Sequence, residues 1–158
     1  MAKFVKHSIW TGTLAGWMLN TFLSPAQIIV QQGIVKVNGS SPQMTVNAPL
    51  TNYGTVTHQG VLITESDLLN YGSYDATTAS LVLQGENHRV VSESLTVTQL
   101  HLSSKNNTTL EGNLEILESL LLEEGLLRVD KPSRLTLNEA ATVTQSNEAS
   151  YIWGGVSR

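Results

Sequence analysis

Between positions 81 and 137, apolar residues fall on apolar residues when the sequence is shifted by 19 places. Val91, Leu110 and Val129 form one such column, Val97, Ile116 and Leu135 a second, and Leu83, Leu102 and Leu121 a third. Leu95 matches Leu114, and Leu81 matches Leu100. Asn87 and Asn106 align as well, followed by Gly125, which puts a turn residue at one point of each repeat. Upstream the shift is 18: LTNYG at 50–54 returns as LLNYG at 68–72, and Ile63 falls on Leu81. A unit this short cannot bury its own apolar face, so successive copies must stack on one another.

The stacked unit is made of strands. IVKV, MTV, TVT, LVL, LTV, LHL, LEI, LRV, LTL and a second TVT each alternate apolar or β-branched residues with polar ones, the period that sends one face of a strand to a core. Sandwiches and barrels also use many short strands, and the fixed repeat is what separates them from a solenoid. The expected fold is all-β: a single-stranded parallel β-helix, or β-solenoid, with coils of about 18–20 residues, two or three strands per coil and interior ladders of Leu, Val and Ile. Right-handed coiling is the expected sense. From Ile28 to Arg158 there is room for about six or seven such coils. NLEILESLLLEEGLL at 113–127 also reads as a helix with Gly125 just past its end, but the 19-residue columns run through it in register. Within LTNYG and LLNYG, leucine is expected to point inward, asparagine and glycine to turn the chain, and Tyr53 to sit against Tyr71.

With 158 residues, 41% of them apolar and 14% charged, the chain suffices for one domain. It has no cysteine, hence no disulfide framework and no thiolate metal site. Residues 1–26 differ from the rest: Lys3 and Lys6 precede a mostly apolar run from Ile9 to Leu23, no acid occurs, and Ser24-Pro25-Ala26 supplies the small residues of a cleavage site. An export signal over 1–26 and a solenoid domain over 27–158 are expected, with a short buried helix or cap as the other reading of the first segment. The run is too short and interrupted for a permanent membrane span, so no stable span is expected in the mature chain. The expected location is secreted or on a bacterial outer surface.

Removing 1–26 takes the formal charge from −4 to −6, with 7 basic against 13 acidic residues left. An acidic domain of this kind is a poor partner for nucleic acid, whose affinity rests on Lys and Arg meeting phosphates. Glu111, Glu115, Glu118, Glu123 and Glu124 cluster within 14 residues; cation binding is one reading, and a solvated strand face the favoured one.

Catalysis on a β-helix needs carboxylates gathered on one face of adjacent coils. Beyond residue 26 the aspartates are Asp67, Asp75 and Asp130, whose separations do not match the coil, so no aspartate ladder forms. The densest polar group is GENHR, with Glu86, His88 and Arg89, followed by His101; an acid–base or sugar-binding site is one reading and a polar outer turn the favoured one. His58 is expected to be exposed or hydrogen-bonded rather than a ligand. No calcium-binding G-G-x-G-x-D copies, phosphate loop, nucleophile elbow or HExxH occur, and neither metal nor cofactor is expected. Tyr53, Tyr71 and Tyr74 would lie close together on stacked coils, where they either offer rings to a sugar or cap the edge of the core. The candidate binding residues are therefore Tyr53, Tyr71, Tyr74, His88 and Arg89, and no catalytic residue is assigned.

The run from LTVTQLHLSSKNNTTLEGNLEI to RLTLNEAATVTQSNEASYIWGGVSR carries successive L-x-V-x-x-L-x-L, T-L-x-G-N-L-x-I, L-x-V and S-x-L-T-L segments and closes with S-Y-I-x-G-x-V-x-R. Over roughly residues 50–158 it resembles the repetitive β-helix, adhesin-like secreted surface proteins of the Bacteroidetes type. That resemblance implies a passenger or stalk role and no general catalytic site. The expected function is a non-catalytic exported cell-surface or adhesin-like β-solenoid, a structural or binding module belonging to a larger surface protein or assembly. The alternative is a carbohydrate-active β-helix enzyme: a polysaccharide lyase or hydrolase, or a tail-spike-like depolymerase. Stacked coils leave open strand edges. Ile28 to Val37 is expected to cap one end, whereas Tyr151-Ile152-Trp153-Gly154-Gly155 leaves an apolar strand at the other. Expected partners are another surface protein, a glycan, or a second copy meeting the C-terminal coil edge.

Overall fold

The computed structural model describes residues 28–30, 34–37 and 43–158. The first 26 residues, where an export signal is expected, lie outside the described residues. The chain winds as a parallel β-solenoid of about six turns, with stacked coils of about 19 residues. Each full coil has three sides. β1 (Ile28–Val30), β2 (Ile34–Val37) and β3 (Gln43–Val46) lie on the three sides of the first. β4 (Leu50–Asn52) and β5 (Thr55–Thr64) make the second, and β6 (Leu68–Asn70) and β7 (Ser73–Gly85) the third. β8 (His88–Val129) then runs round the corners of the next two coils into a further one. β9 (Arg134–Leu137) and β10 (Thr142–Gln145) complete that coil, and β11 (Tyr151–Gly154) and β12 (Val156–Ser157) begin another.

All pairings are parallel, and each side stacks with its own kind. β1, β4, β6 and β8 form the first side, closed by β11 on 126–129 of β8. β2, the start of β5, the start of β7, β8, β9 and β12 form the second. β3, the end of β5, the end of β7, β8 and β10 form the third. One chain direction per side and one coil per layer follow directly from a repeat that is too short to double back.

Alternation along the strands builds the interior. Met44, Leu62, Leu81 and Leu100 succeed one another up the third side, and Leu120 and Val143 continue that interior line. Leu62, Leu83, Leu102, Ile116, Leu120 and Leu135 are fully buried in a single core that runs from Val46 to Ala141. Fully burying each leucine contributes about 1.5–3 kcal/mol.

The register is less uniform than a 19-residue period predicts. Leu81 sits beside Leu100 at 19 and Leu50 beside Leu68 at 18, but Leu68 lies beside Val90 at 22 and Leu114 beside Leu135 at 21. Three sequence columns are therefore corrected. Leu135 stacks on Leu114 rather than Ile116, whose neighbour is Leu137. Val90 is buried and Val91 half-buried, and Leu120 and Leu122 are buried while Leu121 is turned outward. Corners absorb one to three extra residues, and the inward set moves with them. No helix occurs among the described residues; 113–127 is strand and corner throughout. Gly125 is a corner of β8, not the end of a helix. Within Ile28 to Val37, β1 and β2 pair on β4 and β5 as two sides of the first described coil.

Two glycines show what a corner demands. At Gly72 a Cβ would stand 2.2 Å from the Gly54 carbonyl oxygen, so the second NYG corner nests on the first only because Gly72 has no side chain. Gly112 has φ +113°, and its Cβ would meet the Ser92 carbonyl oxygen at 1.8 Å.

Candidate functional site

The two NYG corners carry the most distinctive exposed group. Tyr53 and Tyr71 are 56% and 54% exposed, and their rings stack with centroids 5.3 Å apart and planes 16° from parallel. Coil spacing sets this distance, since side chains in register on neighbouring parallel strands are about 4.8 Å apart. Beneath them, Asn52 and Asn70 do not simply turn the chain: both are buried, and they form an interior polar ladder. Asn52 Nδ2 donates to Asn70 Oδ1 at 2.7 Å and to the Ser73 carbonyl at 2.9 Å, and Asn70 Nδ2 donates to Ser92 Oγ at 3.0 Å. Gly54 N donates to Asn52 Oδ1 at 2.9 Å, tying the corner to the ladder. Leu50 and Leu68 point inward as expected.

Tyr74 does not join the pair. It stands above Val56 on the second side and is 8% exposed, and burial raises the pKa of its hydroxyl well above the ordinary value. Alternation decides this: within SYDA, Tyr74 and Ala76 face inward while Ser73 and Asp75 face out.

GENHR divides in the same way. His88 is 2% exposed, with Nδ1 2.9 Å from the Ser66 carbonyl and Nε2 buried without a partner. A polar outer turn therefore describes Glu86 and Arg89, which are exposed, and not His88. The Arg89 guanidinium donates to both carboxylate oxygens of Glu111 at 3.0 Å, holding that carboxyl below the usual range, and the Arg89 amide donates to Asp67 Oδ1 at 2.9 Å. His101 lies on the third side, paired with Glu123 at 2.7 Å, and this contact lowers the Glu123 pKa. The structure thus separates Glu86, His88 and His101.

Side chains on the outer face join coil to coil in the same manner. Gln84 donates to Glu65 at 2.9 Å, Ser80 to Gln99 at 3.0 Å and Thr96 to Glu115 at 3.3 Å. Of the glutamate cluster, Glu111, Glu118, Glu123 and Glu124 are exposed and Glu115 is half-buried, as a solvated strand face requires. Among the described residues no three of His, Asp and Glu converge as a metal site.

Of the two expectations for His58, the hydrogen-bonded one describes it, and the exposed one does not. It is 2% exposed with Nε2 unpartnered, and desolvation lowers its pKa against the opposing effect of a hydrogen bond with the Val61 backbone. THQG reads as strand-like, and nothing in its four letters distinguishes an inward histidine from an outward one; the strand parity fixed by Val56 does.

No protein-family model, curated protein or solved structure matches the chain. Among the described residues, the arrangement offers a polar exterior with hydrogen-bonded rungs and one paired aromatic platform.

Proposed function

We propose that the chain is a non-catalytic, exported cell-surface module of the adhesin-like β-solenoid kind, similar to the repetitive surface proteins of the Bacteroidetes type, and that it acts by presenting its sides to a glycan or another surface protein. The observation that carries this reading is the separation of its acid–base groups. His88 is turned into the core, His101 is held by Glu123 on another side, and Arg89 is engaged by Glu111. A hydrolase or lyase needs such groups within reach of one bond.

The Tyr53–Tyr71 pair, with Arg89 nearby, is the contact surface this reading favours. Its rings already cover one face of each other, so a sugar would meet the outer faces and the hydroxyl edges rather than lie between them. Glycan-array binding and pull-down with the full chain test the proposal, together with fractionation of cells expressing it. Expected is capture of a surface glycan or protein that Tyr53→Ala with Tyr71→Ala abolishes, and recovery of the chain outside the cytoplasm. Release of new reducing or unsaturated sugar ends from a polysaccharide would establish the depolymerase alternative instead.

A further inference from the structure

The column that holds the two tyrosines ends in a carboxylate. Asn52, Asn70 and Ser92 face inward one above another, so the residues that follow them, Tyr53, Tyr71 and Glu93, face outward in the same order. Glu93 thus takes the place a third ring would have. It is exposed, its carbonyl accepts from Asn113 Nδ2 at 2.9 Å, and its carboxylate makes no ion pair among the described residues. Two residues earlier on the same coils, Leu69 and Val91 lie side by side and half-buried on the outer face of the first side. Asp67 and Arg89 border that apolar step: the Arg89 amide donates to Asp67 Oδ1, and Arg89 is close enough to Tyr71 for the two to interact electrostatically.

On the reading that this platform is the contact surface, we infer that its ligand is a glycan with free amino groups, of the glucosamine type, whose ring packs on tyrosine and whose ammonium lies beside Glu93. Charge complementarity carries the choice. Arg89, the cation beside Tyr71, has its Nε and Nη2 both engaged by Glu111, so it offers nothing to a uronate or a sulfated sugar. Between residues 65 and 111, six acids stand against Arg89 and Lys105. An anionic chain is repelled there and a cationic one attracted. Tyr53 covers one face of Tyr71, and the free face of Tyr71 looks toward the coil of Glu93. A cation on that side meets the negative face of the ring and a carboxylate together.

Size favours a sugar over a folded protein. Among the described residues up to 129, Tyr53 and Tyr71 are the exposed large apolar side chains, whereas a stable protein interface buries about 800 Å² on each partner around a packed apolar centre. Two stacked rings with an apolar step beside them match a sugar unit, which has one apolar face and a polar rim.

Titration calorimetry of the full chain with glucosamine oligomers, their N-acetylated counterparts and oligogalacturonates of equal length tests this. The glucosamine oligomer should bind on the order of tenfold more tightly than the acetylated one, the sum of an exposed cation–ring contact and an exposed ion pair. The galacturonate should not bind. The preference should shrink with added salt, and also as the pH rises and the sugar's amines lose their protons. Tyr53→Ala with Tyr71→Ala should remove binding of the glucosamine oligomer. Glu93→Gln, at an exposed position, should weaken that binding by about two- to fivefold and so narrow the preference. A lysine oligomer of the same charge should bind more weakly than the sugar. No binding of the glucosamine oligomer, equal or tighter binding of either other sugar or of the lysine oligomer, or an unchanged preference in Glu93→Gln would overturn the inference. The contact-surface reading fails on a different result: a glycan or protein that the chain captures and that the double tyrosine substitution does not release.

Discussion

At the scale of single residues, the interior of this solenoid is not uniformly apolar. Asn52, Asn70 and Ser92 sit at inward positions, and each amide has a partner one coil away. A buried amide left without its partner costs roughly 1–3 kcal/mol. Asn70 holds both neighbours, so Asn70→Ala is expected to lower stability by about that amount, read as a shift in the urea midpoint. His58 sets a pH dependence. Its pKa in the fold is lowered by burial from the ordinary value of 6.5, so below that value the unfolded chain binds a proton that the folded chain resists. Stability from this group is complete above pH 6.5 and is lost as pH falls from there through the lowered value. His58→Gln should flatten that part of the curve of melting temperature against pH. By contrast, Arg89 and Glu111 are both about half-exposed, and Arg89→Ala should cost less than about 1 kcal/mol despite its two-pronged geometry.

At the scale of elements, the strands were readable from the sequence and the corners were not. Leucine and valine at alternate positions declare a strand, and their recurrence near 19 declares the stack, because every coil must offer an apolar rung where the last one did. A corner has no such constraint. Between Asn70 and Ser92 it adds residues that the Leu81–Leu100 register does not need, and Val91 is thereby exchanged for Val90 as the inward residue. The same parity shift hid Tyr74 and His88, whose inward direction depends on residues lost or gained at the preceding bend. Tyr53 and Tyr71 were readable as a pair because LTNYG and LLNYG repeat in full, glycine included. Corners should accordingly be the brittle parts. Gly112→Ala, at φ +113° and against the Ser92 carbonyl, is expected to cost at least about 2 kcal/mol in chemical denaturation, whereas a Ser119→Ala change on a flat side should be nearly neutral.

At the scale of the whole molecule, each coil touches only its neighbours, so stability is close to a sum of layers and unfolding can begin at an end. Among the described residues, Val143 and Val156 are half-exposed, and β10, β11 and β12 each pair on one edge. Hydrogen exchange should therefore be fastest at the amides of β10, β11 and β12 and slowest along 95–104 of β8.

The tyrosine pair lies at the corners of the second and third coils, where the backbone beneath it is hydrogen-bonded from coil to coil. Its two rings are thus held in place before anything meets them, and a ligand docking there would lose little free energy to ordering the surface that receives it.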